Sequence, residues 1–201
     1  MRSYDYTTRE GVLPVSWEEF HGICKALAVA AATWRTDLVL AVGRGGYYPG
    51  SLIAHMLQLD IYPVRLSRRV NDVVKFSDPQ WIVEPPSSVR GRNVLVVDEM
   101  CSSGQTLTMV KSRADALDAR QTRTAVLYAH TWGISVPDAI GIITDALVLN
   151  PWDREILRGG RFIFHPEYAD ALRQQGAEPS PDMLIQASEV TLARGPASRA
   201  T

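Results

Sequence analysis

Residues 94–107 read VLVVDEMCSSGQTL: four apolar β-formers, two adjacent acids, then small hydroxyl-bearing and glycine residues. Val94 to Val97 predict a buried strand over 94–98. Leu107, Val110, Ala114 and Leu117 recur at helical spacing and predict a helix from about 104 to 118. The strand therefore ends on two carboxylates, Asp98 and Glu99, and the helix begins in a loop of Ser102, Ser103, Gly104, Gln105 and Thr106. Free N–H groups at a helix start, with the positive end of the helix dipole, favour an anion there. Hydroxyls of Ser103 and Thr106 add donors, and Gly104 lets the backbone come close. Two carboxylates repel a bare phosphate, so they must face something else. Neighbouring sugar hydroxyls or a hydrated Mg²⁺ fit, because carboxylates accept O–H donors and bind hard cations. The plain alternative is a capped loop with two solvated acids.

Two common nucleotide loops are excluded. A P-loop ends in Gly-Lys-Ser/Thr, and no such lysine is present. The dinucleotide fingerprint places its acid about 20 residues after the glycines, whereas these acids precede them.

Outward from this stretch, strands and helices alternate. Residues 16–34 read as an amphipathic helix whose Ser16 and Glu19 have capping-box spacing. A strand at 38–43 leads into the glycine turn Arg44-Gly45-Gly46, followed by a helix over about 49–58 and a strand at 61–66. From Ser67 to Arg92 the periodicity collapses; a connection of that length is functional or mobile, with a short strand at Trp81–Val83. Strand 123–129 and the strand-like 139–153 follow, the latter ending at Pro151-Trp152-Asp153. Residues 167–190 offer two short helices separated by Gly176 to Pro181, and residues 191–201 read as a disordered tail. The alternation implies an α/β protein with a parallel sheet covered on both faces. Ligands in such sheets bind beyond the carboxyl ends of the strands, where both glycine turns, 43–46 and 102–106, are expected.

At 201 residues the chain suits one sizeable core and a small appendage. Its formal net charge of −1 gives no global field for nucleic acid or anionic lipid, so neither partner is expected. No apolar leader and no membrane-length segment is present, and Cys24 and Cys101 lack metal-ligand spacing. A cytoplasmic protein is expected. Cys101 reads as a spacer, and His21, His55 and His165 as structural or exposed residues. Arg65, Arg68 and Arg69 are either solvated or set to contact phosphate or a partner subunit.

VLVVDEMCSSGQTL resembles the signature of type I phosphoribosyltransferases: apolar strand, two acids, spacer, then Ser/Thr-Gly-x-Thr. The resemblance implies a parallel-sheet core with helices on both faces and a small hood. It also implies that Asp98 and Glu99 hold the ribose hydroxyls of 5-phosphoribosyl-1-pyrophosphate (PRPP) while the loop from Ser102 to Thr106 holds its 5-phosphate. AVGRGGYYPG (41–50) is similar to the family's pyrophosphate loop. That assigns Gly43, Gly45 and Gly46 to substrate contacts, gives Arg44 the leaving group, and implies a non-proline cis bond near Gly43–Arg44. HTWGISVPDAIGIITDALVLNPWDREI (130–156) resembles the hood of the hypoxanthine, guanine and xanthine branch, with Asp153 and Glu99 as Mg²⁺ ligands. The likeness covers residues 12–156. It implies a core over 1–156 with hood elements near 139–156, and leaves 157–190 as a helical extension. The implied activity is transfer of a phosphoribosyl group from PRPP to a nucleobase, as in purine salvage, by a homodimer or homotetramer.

Three positions depart from that branch, and each faces the base. Ser102 stands where an Asp exchanges a proton with N7, His130 where a lysine meets the 6-oxo group, and Leu147 where an aromatic ring stacks. A neutral serine serves poorly in proton transfer at neutral pH. His130 can donate to a carbonyl, and Leu147 can pack on a ring face. Three readings stay open: a purine enzyme with a relaxed pocket, a modified base such as a 7-deazapurine, or a PRPP-sensing regulator without transfer.

Overall fold

The computed structural model describes residues 9–70, 73–186 and 188. In chain order the elements are β1 (Val12–Pro14), α1 (Trp17–Thr33), β2 (Leu38–Val42), α2 (Tyr47–Leu57), β3 (Asp60–Ser67), β4 (Arg69–Val70), β5 (Val73–Val74) and β6 (Gln80–Val83). They continue with β7 (Asn93–Cys101), α3 (Gln105–Ala116), β8 (Gln121–Ala129), β9 (Ala139–Ile143), β10 (Leu147–Leu149), β11 (Glu155–Arg158), β12 (Arg161–Phe164) and α4 (Pro166–Gln174).

Six strands form the central sheet in the order β6-β3-β2-β7-β8-β9. The five from β3 to β9 are parallel, as the alternation of elements requires. The sixth, β6, is the short strand expected at Trp81–Val83 and runs antiparallel on the edge of β3, with a bulge between Arg65 and Leu66. Because strand side chains alternate, one chain segment feeds two cores. Val39, Leu95, Val97 and Leu127 pack beneath α1 and α2, whereas Leu38, Leu40, Val94, Val96 and Val126 pack beneath α3. Buried on both faces, β2 and the first half of β7 have no polar positions to spare.

Helix α1 starts where the capping box predicts. The Glu19 amide donates to Ser16 Oγ at 3.1 Å, and the Ser16 amide donates to the Glu19 carboxylate at 2.7 Å. Helix α2 begins two residues earlier than expected, at Tyr47, with Pro49 inside its first turn. That position tolerates proline because its N–H would have no partner in the helix.

The expected strand at 94–98 is longer: β7 continues through both acids to Cys101, pairing Asp98 with Val126 and Met100 with Tyr128. The strand-like run 139–153 divides into β9, on the edge of the main sheet, and β10, which pairs in parallel with β1. Leu147 and Leu149 of β10 then pack with Ala171 and Leu172 of α4 in a third, smaller core above the sheet.

The extension expected to be helical opens instead with the β11–β12 hairpin, turning at Gly159 and Gly160, both at positive φ. One helix, α4, follows; the second expected helix is a single 3₁₀ turn at Pro181–Met183. Arg-Gly-Gly-Arg between two short apolar pairs is a hairpin signal that a search for helical periodicity passes over. The expected tail, 191–201, lies outside the described residues. No helix among the described residues is long and apolar enough to cross a membrane.

Candidate active site

The site lies at the carboxyl ends of β2, β7 and β8. Its centre is set by the close approach of the turn after β2 to the end of β7. A Cβ on Gly45 would lie 1.7 Å from Glu99 Oε2, and one on Gly46 would lie 2.5 Å from the Val42 carbonyl oxygen and 2.7 Å from that of Val97. At Gly45 the obstacle is the Glu99 side chain; at Gly46, where the obstacles are backbone atoms, only glycine lets the turn after β2 sit against the end of β7. The Gly43–Arg44 peptide within it is cis, as the resemblance implies.

Asp98 and Glu99 sit where the strand leaves the core. The Glu99 amide donates to Asp98 Oδ1 at 2.7 Å, and Asn150 Nδ2 donates to Glu99 Oε1. Burial raises the Asp98 pKa to about 7. Burial first, then the charges of Asp153 and Asp98, raise that of Glu99 to about 8. The Asp153 carboxyl is also raised by burial, while the Tyr168 hydroxyl donates to its Oδ2 at 3.4 Å. Three acids thus share one partly desolvated region, an arrangement whose charged form needs cations or strong donors from a ligand.

Beyond Cys101 the chain turns into α3 through Gly104, at φ 76°, which has no side chain to cap the helix. The Gln105 amide lies 3.4 Å from Ser103 Oγ, and Gln105 Nε2 donates to Asp78 at 3.1 Å, drawing the long connection against the loop.

A cavity of about 390 Å³ opens over this loop. Glu99, the whole run from Ser102 to Thr106, His130 and Leu147 line it together. The other expected residues lie elsewhere. Asp98 and Asp153 do not line this cavity, and Arg44 faces a neighbouring groove of about 1270 Å³ between α1 and α2. Arg44 still acts at a distance, since its charge offsets a small part of the rise that burial gives the Asp153 carboxyl.

His130 is buried at 1% exposure. Its Nδ1 lies 2.8 Å from the Thr144 carbonyl oxygen and 3.6 Å from the Asp145 carboxylate. Both neighbours can only accept, so the proton of the neutral ring is assigned to Nδ1. Burial lowers the His130 pKa, which keeps the ring neutral near pH 7. The expected donation from His130 to a carbonyl does not fit this tautomer, because Nε2 is left with a lone pair. The Leu147 side chain is held at 2% exposure by the small upper core.

Several contributors carry no motif in the sequence. Arg9, Pro79 and Tyr168 line the cavity, and Asn150 braces Glu99. Asn150 lies one residue before the Pro-Trp-Asp turn, a cue that was readable. Arg9 and Tyr168 carry no local signal, since they arrive from opposite ends of the chain. Arg68, one of three arginines left open, also lines the cavity.

A family model described as the phosphoribosyl transferase domain matches residues 17–156. The chain belongs to this family. A xanthine-guanine phosphoribosyltransferase from Nitratidesulfovibrio vulgaris (Hildenborough) is 28% identical over 160 aligned residues, covering 72% of this chain and 86% of the relative. Among solved structures, a purine phosphoribosyltransferase from Pyrococcus horikoshii superposes with a TM-score of 0.65 at 20% identity, covering 76% of this chain and 100% of the other. A Neisseria gonorrhoeae protein with bound ppGpp gives a TM-score of 0.61 at 24% identity, covering 72% and 90%. These structural likenesses establish the fold. The protein is accordingly a phosphoribosyltransferase by family.

Proposed function

We propose that the protein transfers the 5-phosphoribosyl group of PRPP to a ring nitrogen of a purine-like nucleobase, releasing pyrophosphate in a salvage reaction. The supporting observation is the meeting of Glu99, from the acidic end of β7, and the hydroxyl-rich start of α3 at one cavity. The loop Ser102–Thr106 binds the 5-phosphate through backbone N–H groups and hydroxyls. Asp98 and Glu99 accept hydrogen bonds from the two ribose hydroxyls. As the bond to pyrophosphate breaks ahead of full attack, positive charge grows on the ribose ring, and these carboxylates favour it. Arg44 supplies charge to the departing pyrophosphate, which Gly43, Gly45 and Gly46 allow to approach the backbone.

The donor set suits Mg²⁺. Glu99 and Asp153 are hard oxygen ligands in one region, and Asn150 Oδ1 beside them is buried without a hydrogen-bond partner. Glu99 and Asp153 would hold the ion, which supplies positive charge to neutralise pyrophosphate. Leu147 packs on the face of the base, and His130 meets its edge. The exposed Trp17 and Tyr48 beside the groove between α1 and α2 support assembly as a homodimer or homotetramer.

Ser102, in place of the expected acid, favours a second reading: PRPP binding without transfer, as in a sensing regulator. Pyrophosphate release followed over a panel of bases with PRPP and Mg²⁺ separates the two. Release that depends on a base supports transfer; PRPP binding by calorimetry with no release for any base supports sensing. The double variant Asp98→Asn/Glu99→Gln should lose turnover by about a hundredfold or more while its circular dichroism is unchanged. Near-normal activity would remove the acids from the mechanism.

A further inference from the structure

The ring of His130 reaches the cavity from the end of β8 and is oriented from behind. Its Nδ1 is taken up by the Thr144 carbonyl at 2.8 Å, with the Asp145 carboxylate 3.6 Å away. Asp145 is itself fixed, accepting from the Thr131 amide at 2.9 Å and the Thr131 hydroxyl at 2.7 Å. One ring face stacks on Trp132, with centroids 4.6 Å apart and planes 23° from parallel. A histidine buried to 1% exposure and held on these sides has little freedom to turn over. Such a partner on one nitrogen sets the role of the other. Nε2 has no protein partner among the described residues, and the ring lines the cavity that the Ser102–Thr106 loop also lines.

We propose that His130 is a specificity-determining residue whose Nε2 accepts a hydrogen bond from the base. The site therefore takes a purine-like base with an exocyclic amine, in preference to an oxo group, on the edge that meets it. This inference rests on the transferase reading above and names its substrate class.

An oxo group placed against Nε2 sets two lone pairs against each other and leaves a buried acceptor unpaired, whereas an amine donates to it. A site that uses one hydrogen bond to choose between isosteric groups can discriminate strongly, because the wrong group leaves its partner unsatisfied. The opposite choice would need a donor, which this tautomer does not provide.

The test uses the full-length wild-type protein. Matched bases that exchange a 6-amino for a 6-oxo group, with N1 changing from acceptor to N–H donor alongside, are compared at pH 7.5 with Mg²⁺ and PRPP: adenine against hypoxanthine and 2,6-diaminopurine against guanine. Pyrophosphate release gives kcat/KM, and calorimetry of each base with Mg²⁺ and excess pyrophosphate, without PRPP so that nothing reacts, gives affinity. In parallel, ¹⁵N NMR of the histidine rings reads which His130 nitrogen carries the proton, independent of activity. The expected result is a preference of at least about tenfold for the amino member of both pairs, with the proton on Nδ1. Equal or better use of the oxo members overturns the assignment, as does a proton found on Nε2. Should no base release pyrophosphate, the transferase reading fails by itself. The calorimetric comparison then still decides His130, and absence of binding by all four bases overturns its role as well.

Discussion

Asp98→Asn separates the energetic cost of the acid from its use. Burial raises the Asp98 pKa from the ordinary 3.8 to about 7. A displacement of that size corresponds to roughly 4 kcal/mol. The side chain is not wholly shielded, being of intermediate exposure, so water relieves part of the cost and the working figure is about 2 kcal/mol. The sign follows from where each state ionises. Below about pH 4 the acid is protonated in both folded and unfolded chains and contributes no penalty. Between about pH 4 and 7 the unfolded chain ionises while the folded chain keeps its proton, so wild-type stability is lost across that window and levels off above it. Asparagine cannot ionise, yet its Oδ1 can still accept from the Glu99 amide, as Asp98 does at 2.7 Å. The variant should therefore match wild type near pH 4 and exceed it by about 2 kcal/mol at pH 8, or about 4–8 °C in Tm for a chain of this size. Differential scanning fluorimetry in ligand-free buffer across about pH 4 to 8.5 measures this. Parallel profiles, or a variant less stable at pH 8, would show that burial does not govern this carboxyl.

The same protons should appear in binding. With Asp98 near 7 and Glu99 near 8, Mg²⁺ and PRPP at pH 7 must capture the charged forms and release about one proton, read as a dependence of calorimetric heat on buffer ionisation enthalpy. Heat that is independent of buffer would sink that linkage. Gly46→Ala should destabilise the fold by about 2–3 kcal/mol, because its Cβ would meet the backbone oxygens of Val42 and Val97, which belong to the sheet; an unchanged urea midpoint would refute this. Gly45→Ala meets a movable carboxylate, Glu99 Oε2, and should leave stability within about 1 kcal/mol while kcat/KM falls by about a hundredfold. A stability loss equal to that of Gly46→Ala would show that the turn cannot yield there.

Much of this protein was legible because its signals are local. An apolar run such as Val94–Val97 can be satisfied only by burial on both faces. Ser16 with Glu19 closes a helix start within three residues, and the glycines at 43–46 and 104 mark turns whose geometry their neighbours enforce. The Ser102–Thr106 loop and Glu99 do share a cavity, since adjacency in sequence carries them there. The hairpin at 155–164 was lost because two short apolar pairs give too little periodicity to read. The brace on Glu99 was lost because Asn150 is 51 residues away in sequence.

By itself, then, the order of residues determined the core strands and helices from 16 to 129 and the parallel sheet, which rest on nearest-neighbour chemistry and chain connectivity, while the family was legible only through the resemblance of its motifs. Tertiary structure alone decided the protonation of the site. Asp98 and Glu99 read as two ordinary acids until the turn at Gly45 and Gly46 and the segment carrying Asn150 and Asp153 close over them and exclude water. His130 reads as a donor until the Thr144 carbonyl, brought in from the end of a neighbouring strand, takes the proton-bearing nitrogen. Desolvation and tautomer choice depend on what surrounds an atom in three dimensions, and that surrounding is assembled from segments far apart along the chain.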